Sequence, residues 1–317
     1  MRTRTNMNRQ SILTLHARQR FATLHPENPA MFCHRLVIFS LLVAAGNVNI
    51  SAGAAVPAAD LEKIRSAASF EAPAKPKKPR NVLIFSRADG YIHEAIPWGA
   101  AALQILGEKT GAYLATLSDD PAIFDRERLS HFDVVVFNNT CGNPVADLTR
   151  RVNLLEFVRG GKGLVGIHCA AHLAWPEYTA VLGGYSISHP WNAGSTVTVR
   201  LEEPDHPLVR GFGAVSFSHT DEIFVFRDFS RERARVLLRL DTTQTDMSTP
   251  GVTDKAGDYP LSWIRREGQG RVFYSALGHQ KDVYWRPAIL KHYLAGIQFA
   301  AGDLEADATP RQAPAKQ

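Results

Sequence analysis

The stretch GLVGIHCAAH, residues 163–172, is a short apolar run that stops at a histidine and a cysteine and continues in small residues. A run of this kind reads as a strand buried on both faces of a parallel sheet. The small residues after it suit a tight turn into a helix. Many α/β enzymes mount a nucleophile at such a strand-to-helix elbow, where the side chain stands above the sheet. Here the bend carries His168, with Cys169 one place later.

Working outward, NVLIFS (81–86) reads as another buried strand, and AYLATLS (112–118) and the mostly β-branched DVVVFNNT (133–140) as two more strands. Helical segments alternate with them. IPWGAAALQILGEKTG (96–111) has a proline in its first turn and a glycine at its end, and TRRVNLLEFVRGGKG (149–163) ends in paired glycines. Strands alternating with helices imply an α/β fold with a doubly wound, mostly parallel sheet. From about residue 195 the pattern changes. STVTVRL, AVSFSHTDEIFVF, RVLLRL, PLSWIRR and RVFYSALG follow one another closely, so antiparallel strands are expected to extend the sheet in the C-terminal half. A last helix is expected from Pro287 to Ala301, and the polar stretch Thr242–Asp258 reads as a surface insertion.

The ends have a different character. Lys and Arg total 36 against 31 Asp and Glu, but six arginines and a single acid, Glu27, precede Ala59. The remaining body is neutral, and nucleic acid is not an expected partner. Met31–Gly46, MFCHRLVIFSLLVAAG, has a positive start and an apolar run too short for a comfortable membrane span of about 20 residues. Residues 1–58 are therefore read as a leader with a signal peptide, its true start at Met31. A periplasmic or secreted location follows, with no stable membrane span after cleavage. Residues 59–80, ending in the proline- and lysine-rich EAPAKPKKPR, are read as an extended linker, and 303–317 as a disordered tail. The folded domain then runs from 81 to 302. Cys141 and Cys169 should leave neighbouring strand ends and remain free thiols. No HExxH, P-loop or GxGxxG motif is present.

Ligands of open α/β sheets bind beyond the carboxyl ends of the strands. Polar residues gather there: Asp89 and His93 after the first strand, Asn139 and Thr140 after the third, His168 after the fourth, His279 after the last. Two further segments are expected to fold over that rim, ISHPWN with His189 and Trp191, and SHTDEIF with Asp221 and Glu222. His168, His279, His93, Asp221 and Glu222 are the catalytic candidates. Asp89, Asn139, Thr140, His189 and Trp191 are the substrate-binding candidates. Each also has a plainer use: a histidine bonded within the core, an acid capping a turn, an aromatic packed in the interior. Strand alternation allows only one of Asp221 and Glu222 to point inward. His206 reads as structural, and His131 and His292 as surface residues.

NVLIFSRADGYIHEAIP, DVVVFNNTCG, GKGLVGIHCAAH, EEPDHPL, HTDEIFVF and PLSWIRREGQGRVFYSALGH, taken in order, resemble the ThuA-like (trehalose-utilisation) domain family. The resemblance covers the whole of 81–302. It implies a class I glutamine amidotransferase-like fold, a flavodoxin-like three-layer sandwich, and a link to carbohydrate metabolism. In true amidotransferases the elbow reads G-I-C-x-G with cysteine as nucleophile. Here Gly166-Ile167 leads to His168, and Cys169 comes one place late, so glutamine hydrolysis is not expected. A histidine at the bend can instead move a proton or bind a metal, and a divalent metal is one option. The resulting expectation is an exported protein acting on a small sugar or glycoside, a lyase or hydrolase if an enzyme. A non-catalytic carbohydrate-binding or accessory domain is the alternative.

Overall fold

The structure, a computed structural model, describes residues 55–312. The strands in chain order are β1 (Asn81–Phe85), β2 (Leu114–Ser118), β3 (Val134–Asn138), β4 (Cys141–Gly142), β5 (Gly163–Ile167), β6 (His172–Leu173) and β7 (Tyr185–Trp191). After them come β8 (Thr196–Leu201), β9 (Ser216–Thr220), β10 (Ile223–Arg227), β11 (Arg235–Leu240), β12 (Pro260–Glu267) and β13 (Gly270–Ser275). Nine of these form one sheet in the order β2-β1-β3-β5-β13-β12-β11-β8-β9. From β2 to β13 all pairings are parallel, and from β13 to β9 all are antiparallel. The strand order reverses beside β1, whose two neighbours are β2 and β3.

The pattern of residues explains the placement. β3 and β5 are buried at every position, as expected of central strands covered on both faces, whereas edge strand β2 has no buried position. The main helices begin and end where the sequence provides stops. α2 (Ile96–Thr110) carries Pro97 in its first turn and ends on Gly111 in the left-handed conformation. α4 (Leu148–Arg159) starts on Asp147, whose carboxylate accepts the Arg150 N–H at 2.9 Å. α6 (Pro287–Ala301) is apolar nearly all round and packs on β13 and β5. With α1 (Ala58–Ala67) and α2 it covers one face; α3 (Arg126–Ser130), α4 and α5 (Pro176–Leu182) cover the other.

Four expectations are corrected. The segment read as a linker folds: α1 docks on α2, buries Ile64 completely, and its Asp60 accepts the Trp98 indole N–H at 3.0 Å. The proline- and lysine-rich stretch after it is extended but anchored. Gln298 bonds both polar groups of the Ala74 backbone, and Arg80 forks onto Asp303. The start of the tail is likewise held, with Asp303, Leu304 and Ala308 buried and Asp307 paired with Arg235. His292 is buried, because its position on α6 faces the sheet. Its ring nitrogens reach the Leu208 carbonyl at 2.7 Å and Ser262 Oγ at 2.9 Å. Finally, no helix follows the elbow directly. Residues 168–171 make one 3-10 turn, β6 pairs with β4, and α5 starts only at Pro176. The leader up to residue 54 lies outside the described residues, as do residues 313–317. Among the described residues no helix is long and apolar enough to cross a membrane.

Candidate functional site

At the carboxyl end of β5 the chain turns on His168, whose φ of 50° lies in the left-handed region that non-glycine residues seldom adopt. Its surroundings hold it there. The Tyr274 hydroxyl donates to its carbonyl at 2.8 Å, and its ring Nδ1 lies 2.7 Å from the Ala276 carbonyl. A carbonyl only accepts, so Nδ1 carries the hydrogen and Nε2 is left to face the cleft. Gly278 closes in behind: a Cβ there would stand 3.1 Å from the His168 Cβ, on a backbone with φ of 146°. The Phe224 ring stacks on the imidazole at 4.5 Å.

Two other histidines join it. His93 comes from the loop after β1, and His279 from the loop after β13. The three imidazoles stand nearly perpendicular to one another, with centroids 4.9, 5.0 and 5.4 Å apart. Glu222, at the turn from β9 to β10, completes the group. Its Oε2 lies 3.3 Å from His168 Nε2 and 3.5 Å from His279 Nδ1. Each of the four residues offers one ligand atom, and those atoms all lie within 4.8 Å of one another. His189 approaches from outside. It sits on the β7–β10 ribbon that lies over the rim, with Nδ1 3.1 Å from Glu222 Oε1.

The electrostatics follow from burial. Burial, and then the neighbouring His168 and His279 rings, lower the pKa of His93 to about 3. Burial alone would raise Glu222, but the adjacent His168 and His279 outweigh it and hold the carboxyl well below the usual carboxylate range. The Glu222 carboxylate in turn raises the pKa of His279. The site therefore combines a neutral buried imidazole with an ionised carboxylate. Such a donor set can exchange protons or hold a divalent cation.

Asp221 plays a different part from its neighbour. It turns away from the three rings and accepts the backbone N–H groups of Gly278, His279 and Gln280 at 3.0, 3.3 and 3.0 Å. His219 Nε2 lies 3.3 Å from the same carboxylate and is itself approached by Arg286. Burial pushes the Asp221 carboxyl up, but the His219 ring and these donors outweigh it, and its pKa is lowered. Asp221 thus anchors the loop that carries His279.

Of the residues singled out from sequence, His93, His168, His279 and Glu222 converge, His189 touches the group, and Asp221 supports it. Asn139 is buried nearby and donates to the Tyr284 hydroxyl at 2.7 Å and the Gly278 carbonyl at 3.3 Å, while Thr140 is buried with its hydroxyl unpartnered. Asp89 is exposed and joins the loop to Gly142 through its backbone. Trp191 is an interior packing residue. It is buried, and its indole N–H donates to the Asp246 carbonyl of the insertion. Phe224, Tyr274 and Tyr284 escaped sequence reasoning. Phe224 had a usable signal, because strand alternation puts it on the same face as Glu222.

Cys169 lies buried beside the elbow. Its hydrogen bond with Cys141, and then burial, push its thiol far up, so it does not supply a thiolate. Both cysteines are free, and the Cys141 thiol donates to the Tyr91 carbonyl at 3.0 Å.

Residues 81–300 match the ThuA family, described as trehalose utilisation. No curated protein matches the chain. A ThuA-like protein of Bacteroides uniformis is 21% identical with a TM-score of 0.57, over 71% of this chain and 93% of that one. A ThuA-like protein of Parabacteroides merdae is 19% identical with a TM-score of 0.52, over 74% and 98%. At these identities the two structures speak for the shared fold. Since the family match spans the whole parallel half of the sheet, its antiparallel extension and the residues of the site, the chain belongs to the trehalose-utilisation (ThuA) family.

Proposed function

We propose that this chain is an exported protein that binds and chemically alters a small sugar or glycoside at the His93–His168–His279–Glu222 site. The observation that carries the reading is the convergence of three imidazoles and one carboxylate at the strand ends of a carbohydrate-associated family. Ordinary glycoside hydrolysis uses two carboxyl groups flanking the scissile bond. Here Glu222 faces histidines and Asp221 is committed to backbone N–H groups, so two-carboxylate chemistry has little support. The site suits removal of a proton from carbon beside a carbonyl, as in an oxidised sugar. A neutral imidazole accepts the proton, the electron pair forms an enolate, and its collapse expels the β-oxygen of the leaving group, which takes up a proton.

Export is supported by the apolar run within 31–46 and by the small residues that follow it. Its cleavage would leave a chain beginning near Ala55–Ala59, at the start of α1.

The test is to incubate the protein with trehalose and with trehalose oxidised to its keto form, monitoring binding by calorimetry and turnover by mass spectrometry. Turnover lost in Glu222→Gln supports the reading. Binding without turnover of either sugar would make the chain an accessory carbohydrate-binding domain instead. No binding of any sugar tested would remove the sugar-directed reading.

A further inference from the structure

Glu222 Oε2 faces His168 Nε2 at 3.3 Å, yet the two do not make a hydrogen bond. Because His168 Nδ1 already donates to the Ala276 carbonyl, a neutral ring presents Nε2 as a bare lone pair. An ionised carboxylate is likewise an acceptor only. With the ring neutral and the carboxylate ionised, two acceptors would stand against each other in a buried place, where unpaired polar atoms are costly. The same holds around it. His93 Nδ1 and His279 Nδ1 have no hydrogen-bond partner, and His93 and His168 are 3% and 0% exposed. A proton on His168 Nε2 would satisfy one of these atoms and leave the others as they are. A single cation among them satisfies the whole group.

We infer that His93, His168, His279 and Glu222 bind one divalent ion of the first transition row, with zinc as the type case. Donor chemistry selects the ion. Three imidazoles suit zinc and its row neighbours, whereas calcium and magnesium prefer oxygen donors throughout. Spacing agrees, since metal–ligand bonds of about 2.0–2.1 Å set tetrahedral neighbours about 3.3 Å apart. Two contacts of Glu222 Oε2, 3.3 Å to His168 and 3.5 Å to His279, are close to that edge length. The three near-perpendicular rings and Glu222 bring one ligand atom each to within 4.8 Å of one another. The outer layer has the arrangement usual around metal-bound histidine, with the far nitrogen of His168 on a backbone carbonyl. Asp221 fixes the loop that delivers His279. The half-buried His279 and exposed His189 mark the side on which the site opens. A bound ion there can take an oxygen of the substrate as a Lewis acid and stabilise the negative charge of an enolate. What the ion does rests on the sugar-directed reading above; whether it binds does not.

The experiment uses protein from residue 55 onward carrying no histidine tag. Metal content is measured by mass spectrometry as isolated, and the chelated protein is then titrated with Zn²⁺, with Mg²⁺ and Ca²⁺ as comparison ions. One equivalent of Zn²⁺ per chain is expected, with Mg²⁺ and Ca²⁺ failing to compete. Glu222→Gln keeps the shape of the side chain, and His279→Gln changes the least buried ligand. Both should fold, as judged by near-ultraviolet circular dichroism, and lose more than about 100-fold in Zn²⁺ affinity. Wild-type protein that takes up no Zn²⁺, or variants that fold and bind it as well as wild type, would overturn the inference. Sugar binding that persists unchanged in metal-free protein would overturn the ion's role and leave the proposed function standing. A bound ion with no response to any sugar would uphold the ion and remove the sugar-directed reading.

Discussion

His292 offers a quantitative test of how the core is built. It is fully buried on α6, its Nδ1 on the Leu208 carbonyl and its Nε2 on Ser262 Oγ, with the Phe273 and Phe212 rings at 4.9 and 5.5 Å. No carboxylate faces it in these contacts, so nothing compensates a positive charge. Burial accordingly lowers its pKa from 6.5 to about 4. The unfolded chain takes up this proton near pH 6.5 and the folded one only near pH 4. Stability from His292 is therefore complete above about pH 6.5 and is lost as the pH falls toward 4. At about 1.4 kcal/mol per pH unit, the loss over that window is about 3 kcal/mol. His93 and His206, also lowered, add slopes of the same sign, so wild type alone does not isolate the effect. The perturbation is His292→Gln, which cannot titrate. Urea unfolding at a series of pH values should show the variant weaker by about 1–3 kcal/mol near neutrality, through lost bonds and packing. Its stability should then fall less steeply between pH 6.5 and 4, so that the gap between the two proteins closes or reverses. Parallel stability–pH curves for the two proteins would refute the reasoning.

Three further outcomes are expected. Asp221→Asn should fold but lower Zn²⁺ affinity by about 10–100-fold, because the 278–280 loop loses a charged acceptor without losing a ligand; unchanged affinity in the isothermal titration would make Asp221 a purely structural residue. Ile64→Ala should destabilise the domain by about 2–5 kcal/mol in urea unfolding, as for other completely buried side chains, and a loss below about 0.5 kcal/mol would mean that α1 is not docked in solution. N-terminal sequencing of protein recovered from its native host should give a start between Ala55 and Ala59, and an intact Met1 in the cytoplasm would end the export reading.

The parallel half of the fold was legible because its central strands are almost continuously apolar. DVVVF and GLVGI are short, apolar and partly β-branched, as strands covered on both sides are, and the helices between them carry their own boundary signals, starts at Pro97 and Asp147 and a stop at Gly111. The site was partly legible for a related reason. Topology brings strand ends together, so polar residues placed just after successive strands meet even when far apart in sequence. Orientation was harder to read. Alternation shows that Asp221 and Glu222 point apart, but not which one faces the histidines, because that depends on where the loop after β13 lies. Trp191 and His292 were misjudged in the same way. An aromatic beside a proline near the rim, and a histidine within a helix, carry no local mark of what packs against them. The docking of α1 depends on Ile64 finding a surface built by α2, almost forty residues later, and on Trp98 reaching back to Asp60. Proline- and lysine-rich composition predicted the extended backbone of 71–80 but not its partners Gln298 and Asp303, which lie at the other end of the chain.

The central claim is that one metal ion organises the His93–His168–His279–Glu222 site. Anomalous diffraction tests it most directly, with crystals of tag-free protein grown in Zn²⁺ and data collected on either side of the zinc absorption edge. The account predicts a strong anomalous peak, present above the edge and absent below it, about 2.0–2.2 Å from one atom of each of the four residues. Zinc peaks confined to the protein surface, or ordered water at the centre of the four residues, would contradict it.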